Sequence, residues 1–197
     1  MDPATLAPLA LYSFVCTATP GPNNIMLASS GLAFGMRRSV PHMLGISFGC
    51  AVLLTLSGLG LGAVFTSLPA LRWALRIAGA AYLVWLAVKL WRANGVTMGE
   101  GGQPLNFWQG ASFQFINPKA WAIAAPAIAT FTVADRPLAF QLAVIVLTFA
   151  VVGLPANIAW VAMGAGARGL LESERAMTAF VRTMAVLTGL TALLFLF

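Results

Sequence analysis

The sequence predicts an all-α integral membrane protein: six transmembrane helices forming an inverted 3+3 repeat, with the first and fourth helices discontinuous. Three observations predict it. Of 197 residues, 60% are hydrophobic and 8% are charged, where a soluble domain has about 45–50% and about 25%. Long intervals carry no Asp, Glu, Lys or Arg. Helix breakers cluster at the middle of two apolar intervals, half a chain apart. Sixteen charges, 11 basic and 5 acidic, cannot cover a soluble fold of this size. A soluble enzyme, a secreted disulfide scaffold and a disordered chain are excluded.

The charge-free intervals 3–36, 39–71 and 137–167 hold 34, 33 and 31 residues, and a spanning helix needs about 20. They give spans over 5–34, 40–66 and 138–164. The span 69–92 has Arg72 and Arg76 near its start and Lys89 and Arg92 at its end, as for side chains that snorkel to both interfaces. The span 104–133 is apolar apart from Lys119, and 176–197 closes the chain with Arg182 near one end. No alternating strands appear, which excludes a transmembrane barrel. The chain reads as one transmembrane domain over 1–197. Its halves are about 1–93 and 104–197, with a Gly-rich loop at 94–103 containing Gly95, Gly99, Gly101 and Gly102.

The formal net charge is +6, but the basic residues are dispersed and only Arg37-Arg38 are adjacent. That pattern points to membrane loops rather than nucleic acid. Loops after the first, third and fifth spans hold seven basic residues: Arg37, Arg38, Lys89, Arg92, Arg168, Arg175 and Arg182. The other side holds Arg72, Arg76 and Arg136. The positive-inside rule then places the seven in the cytoplasm and both termini outside. The start, Met-Asp-Pro, lacks the basic region of a signal peptide, so the first apolar run is expected to be a retained helix. Cys16 and Cys50 form no CxxC. No disulfide, metal or other cofactor is expected.

The first break is Thr19-Pro20-Gly21-Pro22-Asn23-Asn24 and the second is Asn117-Pro118-Lys119. Their offset, 118 − 20 = 98 residues, is essentially half the chain. An odd number of spans per half inverts the second half, so the broken helices would meet near the midplane. Pro20 and Pro22 lack N–H groups and interrupt the helical ladder. Polar backbone freed in hydrocarbon costs several kcal/mol per group, so it must face protein or water. Asn117-Pro118 reads as N-cap and N1 of a new helix. Each break then leaves a helix N-terminus that suits a carboxylate. Lys119 sits in the first turn of one of them, where a cation is unfavourable unless an anion arrives.

Other polar residues are less decisive. Asn157 shares a helical stripe with Gly153, Trp160 and Gly164. That face suits either a pathway lining or a packing seam. His42, Gly45 and Gly49 form a similar stripe on the second span, read as packing, with His42 at the membrane interface. Pro155 reads as a kink. Gln109 and Gln114 have no assigned face. The tryptophans read as core or interface-belt residues.

The same residues carry a resemblance. Thr-Pro-Gly-Pro-Asn-Asn at 19–24 with Gly35, Gly45 and Gly49, the run at 79–86, Phe107-Trp-Gln-Gly, and Phe115-Ile-Asn-Pro-Lys-Ala together resemble the LysE/RhtB family of amino-acid exporters. The 19–24 motif with Asn157 looks closest to the cysteine/O-acetylserine exporter subgroup. The resemblance implies a bacterial inner-membrane exporter of amino acids or related metabolites, with proton antiport expected of the family. It places Pro20, Gly21, Pro22, Asn23 and Asn24 around the substrate path, with Asn117, Pro118 and Lys119 as their partner. There is a departure from the family pattern. Members that export basic amino acids carry an acid where this chain has Cys50, and another shortly after the NP motif, where it has Ala120 to Ala124.

No Asp or Glu lies in any expected span, so a cationic side chain would have nothing to offset its desolvation. Neutral or small polar amino acids are the expected substrates. The expected site is Thr19, Pro20, Gly21, Pro22, Asn23, Asn24, Asn117, Pro118, Lys119 and Asn157. The carboxylate would face Lys119 and the N–H groups after Pro22 and Pro118. The ammonium would face carbonyls near Thr17 and Phe115. Lys119 is the titratable group best placed to exchange a proton. The expected partners are the amino acid and the lipid bilayer, with a homodimer left open and no nucleic acid. An intramembrane enzyme would need a nucleophile–base pair, paired carboxylates or metal ligands, and one His without a membrane carboxylate does not supply them. The remaining alternative is a passive channel or scaffold subunit.

Overall fold

The computed structural model describes residues 3–19, 21–61, 67–92, 103–170 and 174–194. Among them are seven α-helices and no strand: α1 (Pro3–Ala18), α2 (Pro22–Leu56), α3 (Pro69–Arg92), α4 (Phe107–Ile116), α5 (Pro118–Phe131), α6 (Leu138–Leu170) and α7 (Glu174–Leu194). A π-helical turn, Ser57–Leu61, prolongs α2. The expected loop at 94–103 lies outside the described residues apart from Gln103, as do 62–66 at the end of the second expected span.

The helical class is as expected, and helices stop and restart at the two expected breaks. α1 has 16 residues, about 24 Å at 1.5 Å per residue, short of the roughly 30 Å hydrocarbon core. α4 and α5 have 10 and 14 residues and are shorter still. α1 stops at the first expected break, and α4 and α5 meet at the second. Two helical stretches, Leu138–Ala167 and Pro22–Gly60, are long and apolar enough to cross a membrane by length and composition, the second of them bent at Gly35. α6 runs through Pro155 without interruption.

The expected connection between the first two spans, 34–40, shrinks to one residue. Gly35 has φ 76° and ψ 173° inside α2, a backbone region open essentially to glycine alone. Ser30 and Ser39 hydroxyls lie 2.7 Å apart. In a straight helix nine residues would separate them by about 13 Å, so the chain folds back at Gly35. α2 is therefore two helical arms, residues 22–34 and 36–56. Ser39 Oγ donates to Gly35 O at 2.9 Å and fastens the turn.

α2 packs against α6 and α4, α1 against α6, and α3 against α7. The α2–α4 contact is backbone-close. A side chain at Gly45 or Gly49 would collide with the carbonyl of Phe107 or Ala111, so these glycines form a packing seam as expected. The α2–α6 contact is equally close, Gly31 meeting Val161 and Gly164 meeting Ala28. His42 departs from expectation. It is 0% exposed rather than interfacial, because α4 closes over it at Gly110, whose added Cβ would lie 3.0 Å from His42 Cδ2. Leu9, Leu53, Leu54, Trp121, Ala124, Ile145 and Phe149 form one apolar cluster joining α1, the second arm of α2, α5 and α6.

Candidate functional site

The two expected breaks face each other. α1 ends at Ala18 and α2 starts at Pro22, with Gly21 as an extended N-cap that supplies no side-chain hydrogen bond. Lys119 Nζ, on the other break, donates to Thr19 O at 2.7 Å across 100 residues of sequence. A Cβ at Gly21 would lie 2.9 Å from both Cδ and Nζ of Lys119. The missing side chain at 21 is what lets the lysine pass over the break.

At the first break Asn24 folds back over the end of α1. Its Nδ2 donates to Thr17 O and Thr19 O, both at 2.9 Å. Thr17 Oγ1 donates to Ser13 O at 2.7 Å, and Thr19 Oγ1 donates to Val15 O. The first-turn N–H groups of α2 have no acceptor within their own helix, by position. The second break is capped by its own residues. Asn117 Oδ1 accepts from Lys119 N at 3.1 Å, and Asn117 O accepts from Ala120 N and Trp121 N at 3.0 and 3.4 Å. Trp121 Nε1 donates to Phe115 O at 2.9 Å. Asn117 is thus the N-cap with Pro118 following, as the sequence predicts. Two details are corrected. The carbonyls of Thr17 and Phe115 are already engaged by Asn24 and Trp121, and the N–H groups after Pro118 are satisfied by Asn117.

Between the breaks lies a cavity of about 80 Å³. A water needs roughly 10–15 Å³ on this measure, so the space suits the handful of heavy atoms in a small amino acid. Gly21, Pro22, Asn23, Asn24, Asn117, Lys119 and Asn157 line it. Thr19 does not line it, but its carbonyl anchors Lys119. Pro118 also does not line it and packs toward Gly79 of α3. Pro20 lies outside the described residues. The stripe on α6 divides by depth: Gly153 and Asn157 reach the cavity, while Gly164 packs on Ala28. Asn157 Nδ2 is 3.5 Å from Ser47 Oγ, at the limit of a hydrogen bond.

Five side chains outside the expected set carry hydroxyl, thiol or amide groups at the site: Cys16, Thr17, Ser47, Cys50 and Gln114. Cys16, Thr17 and Ser47 line the cavity. Gln114 forms a reciprocal amide pair with Asn23: Asn23 Nδ2 donates to Gln114 Oε1 at 2.9 Å, and Gln114 Nε2 donates to Asn23 Oδ1 at 3.1 Å. Gln114 Nε2 also donates to Gly110 O at 2.9 Å, and Cys50 Sγ donates to Gln114 Oε1 at 3.5 Å. Cys50 also lines the cavity. One signal for Gln114 was available, since it falls one helical turn before Pro118. Lys119 is the one Lys or Arg among the lining residues, and none of them is Asp or Glu. The arrangement offers one cation and a helix N-terminus at one end, amide and hydroxyl groups along the wall, and no fixed anion.

Residues 14–197 match the family described as LysE type translocator. The chain belongs to the LysE translocator family. Its relatives include the cysteine/O-acetylserine efflux protein of Escherichia coli strain K12, 32% identical over 83% of this chain and 84% of the relative. The same-named protein of Shigella sonnei strain Ss046 has equal identity and coverage. That of Escherichia coli O1:K1 is 34% identical over the same shares. No solved structure matches this LysE-family chain.

Proposed function

We propose that this protein is a secondary transporter that exports small neutral or polar amino acids, cysteine and O-acetylserine among them, by alternating access. The observation that carries the proposal is the cavity itself. It lies between two helix breaks that Lys119 joins through Thr19 O, and its lining holds one cation and no acid. The substrate carboxylate meets Lys119 Nζ and the first-turn N–H groups of α2, a charge-assisted arrangement. The ammonium meets the amide oxygens of Asn24 and Asn157, whose Nδ2 atoms turn toward the Thr17 and Thr19 carbonyls and toward Ser47. A cationic substrate side chain would find no carboxylate on the wall, which selects against lysine and arginine. The names of the relatives support the same substrate class.

The mechanism rests on two halves related by inversion. α1, α2 and α3 form the first and α4 to α7 the second, as one domain of six spans in which α1 continues into the first arm of α2 and α4 into α5. Rocking of one half against the other breaks and remakes the contacts between the breaks. Proton antiport is the proposed coupling, with Lys119 as the lining group that exchanges the proton. The setting is the bacterial inner membrane, with the Gly35 turn and its Arg37-Arg38 pair in the cytoplasm. The exposed apolar side chains of α6, such as Leu147 and Val151, meet lipid, or in part a second copy of the chain.

Reconstituted liposomes test the reading. Labelled O-acetylserine should show saturable counterflow, and excess lysine should compete at least tenfold less well than serine. Non-saturable flux without counterflow would indicate a channel, and no flux at all would indicate a scaffold.

A further inference from the structure

We propose that the Asn23–Gln114 amide pair is the gate that closes the cavity on the side of the Gly35 turn, and that His42 is the first side chain of the transport path behind it. The proposal rests on reading the cavity as the transport site.

His42, Ile46 and Cys50 stand at positions i, i+4 and i+8 of α2, one stripe on one helical face. Ile46 and Cys50 line the cavity, so His42 is the next step of that stripe, about 6 Å further along the axis. The facing helix repeats the order. Gln114 meets Cys50 and Asn23, and Gly110, one turn earlier, meets His42. The amide pair thus lies level with the cavity, and the imidazole lies one turn behind it. The pair also joins the start of α2 to the end of α4, the two half-helices that must separate when the halves rock.

His42 is the second observation. Its residue is 0% exposed, and neither Nδ1 nor Nε2 has a hydrogen-bond partner. Buried polar groups without partners are destabilising, and in a membrane segment they mark pathways. The other buried, unpartnered side-chain polar atoms among the described residues are the hydroxyls of Ser13, Ser29 and Ser57. Ser29 lies on the arm of α2 that leads from the cavity toward Gly35. Ser13 is one turn before Thr17, and Ser57 is two turns beyond Cys50, both leading away from Gly35. Unpartnered polar atoms therefore flank the cavity along both directions a substrate would travel. Parting of Asn23 from Gln114 would connect His42 to the cavity and hydrate it.

The test uses the full chain in membrane vesicles. The variant His42→Cys is exposed to a hydrophilic methanethiosulfonate reagent, and peptide mass spectrometry reads the adducts at positions 42, 16 and 50 separately. With the amide pair intact, position 42 should label at least tenfold more slowly than Cys16. Adding Gln114→Ala, or Asn23→Ala as an independent second variant, should raise labelling at position 42 at least tenfold and leave Cys16 within about threefold. Labelling at 42 as fast as Cys16 with the pair intact, or unchanged in both double variants, would overturn the gate. In parallel, His42→Leu should lower efflux at least tenfold without lowering the unfolding temperature. Full efflux, or a lowered unfolding temperature, would show the ring to be a packed structural element and overturn its pathway role. The labelling needs no substrate. If the transport reading itself failed, the unaltered protein would show no amino-acid counterflow, whatever the labelling pattern.

Discussion

The two helix breaks face each other across one cavity, yet they are built differently. The break at 116–118 closes on itself: Asn117 caps α5 through its side chain and its carbonyl, and Trp121 reaches back to Phe115 O. The break at 19–22 is left open on its N-terminal side. Gly21 has no side chain to cap α2, and Asn24 serves the preceding carbonyls rather than the following N–H groups. The difference teaches a division of labour. The second break is a rigid mount for Lys119, and the first is the electropositive surface that the lysine overhangs. Donors are left over at the first break, which is where the proposed function places the substrate carboxylate.

That asymmetry can be broken most severely at the lysine. Lys119→Met removes the cation and the link to Thr19 O, and a lost charge-assisted hydrogen bond is worth about 1.5–3 kcal/mol. Efflux measured as kcat/KM should fall about 10- to 100-fold, with folded protein still recovered from the membrane. Gly21→Ala sharpens the comparison from the other side. The extended backbone at 21, φ −175° and ψ 179°, accepts alanine without strain. The atoms nearest the new Cβ are Cδ, Cε and Nζ of the flexible Lys119 side chain. Efflux should therefore fall about tenfold while the unfolding temperature changes little. The smallest effect is expected at Asn117→Ala, which deletes an N-cap worth about 1 kcal/mol. The unfolding temperature should drop by a few degrees, and efflux should suffer less than in either variant above. If Asn117→Ala abolished transport while leaving stability intact, the second break would not be a mount.

A control stands outside the comparison. Gly35→Ala forces a side chain into φ 76°, a cost of order 1–3 kcal/mol. Thermal unfolding of the purified protein should register it, with a smaller change in substrate affinity.

The sequence made the breaks legible because prolines and glycines act through their own backbone. Pro22 and Asn117-Pro118 need no distant partner to start a helix, and α2 and α5 begin there. Helix extents were partly legible too: α3 coincides with the expected 69–92, and α6 covers the charge-free run expected at 138–164. The fold-back at Gly35 was hidden because a glycine within an apolar run looks the same in a packing seam as in a turn. Only the Ser30–Ser39 contact separates the two. The Asn23–Gln114 pair was hidden because it joins residues 91 apart. His42 was misplaced because position near a span's end was taken for exposure, whereas the close approach of Gly110 buries it. The carbonyls of Thr17 and Phe115 were assigned to substrate because the reach of Asn24 and Trp121 depends on the bend between helices. The family match over 14–197 supports the fold and the broad function, and the division of labour between the breaks comes from geometry.

The central claim is that the first break and Lys119 hold the substrate's carboxylate. Competition against labelled O-acetylserine in counterflow measures this directly, using serine and serinamide, in which a neutral carboxamide replaces the carboxylate. The account predicts that serinamide competes at least 100-fold less well than serine. Equal competition by the two would contradict it.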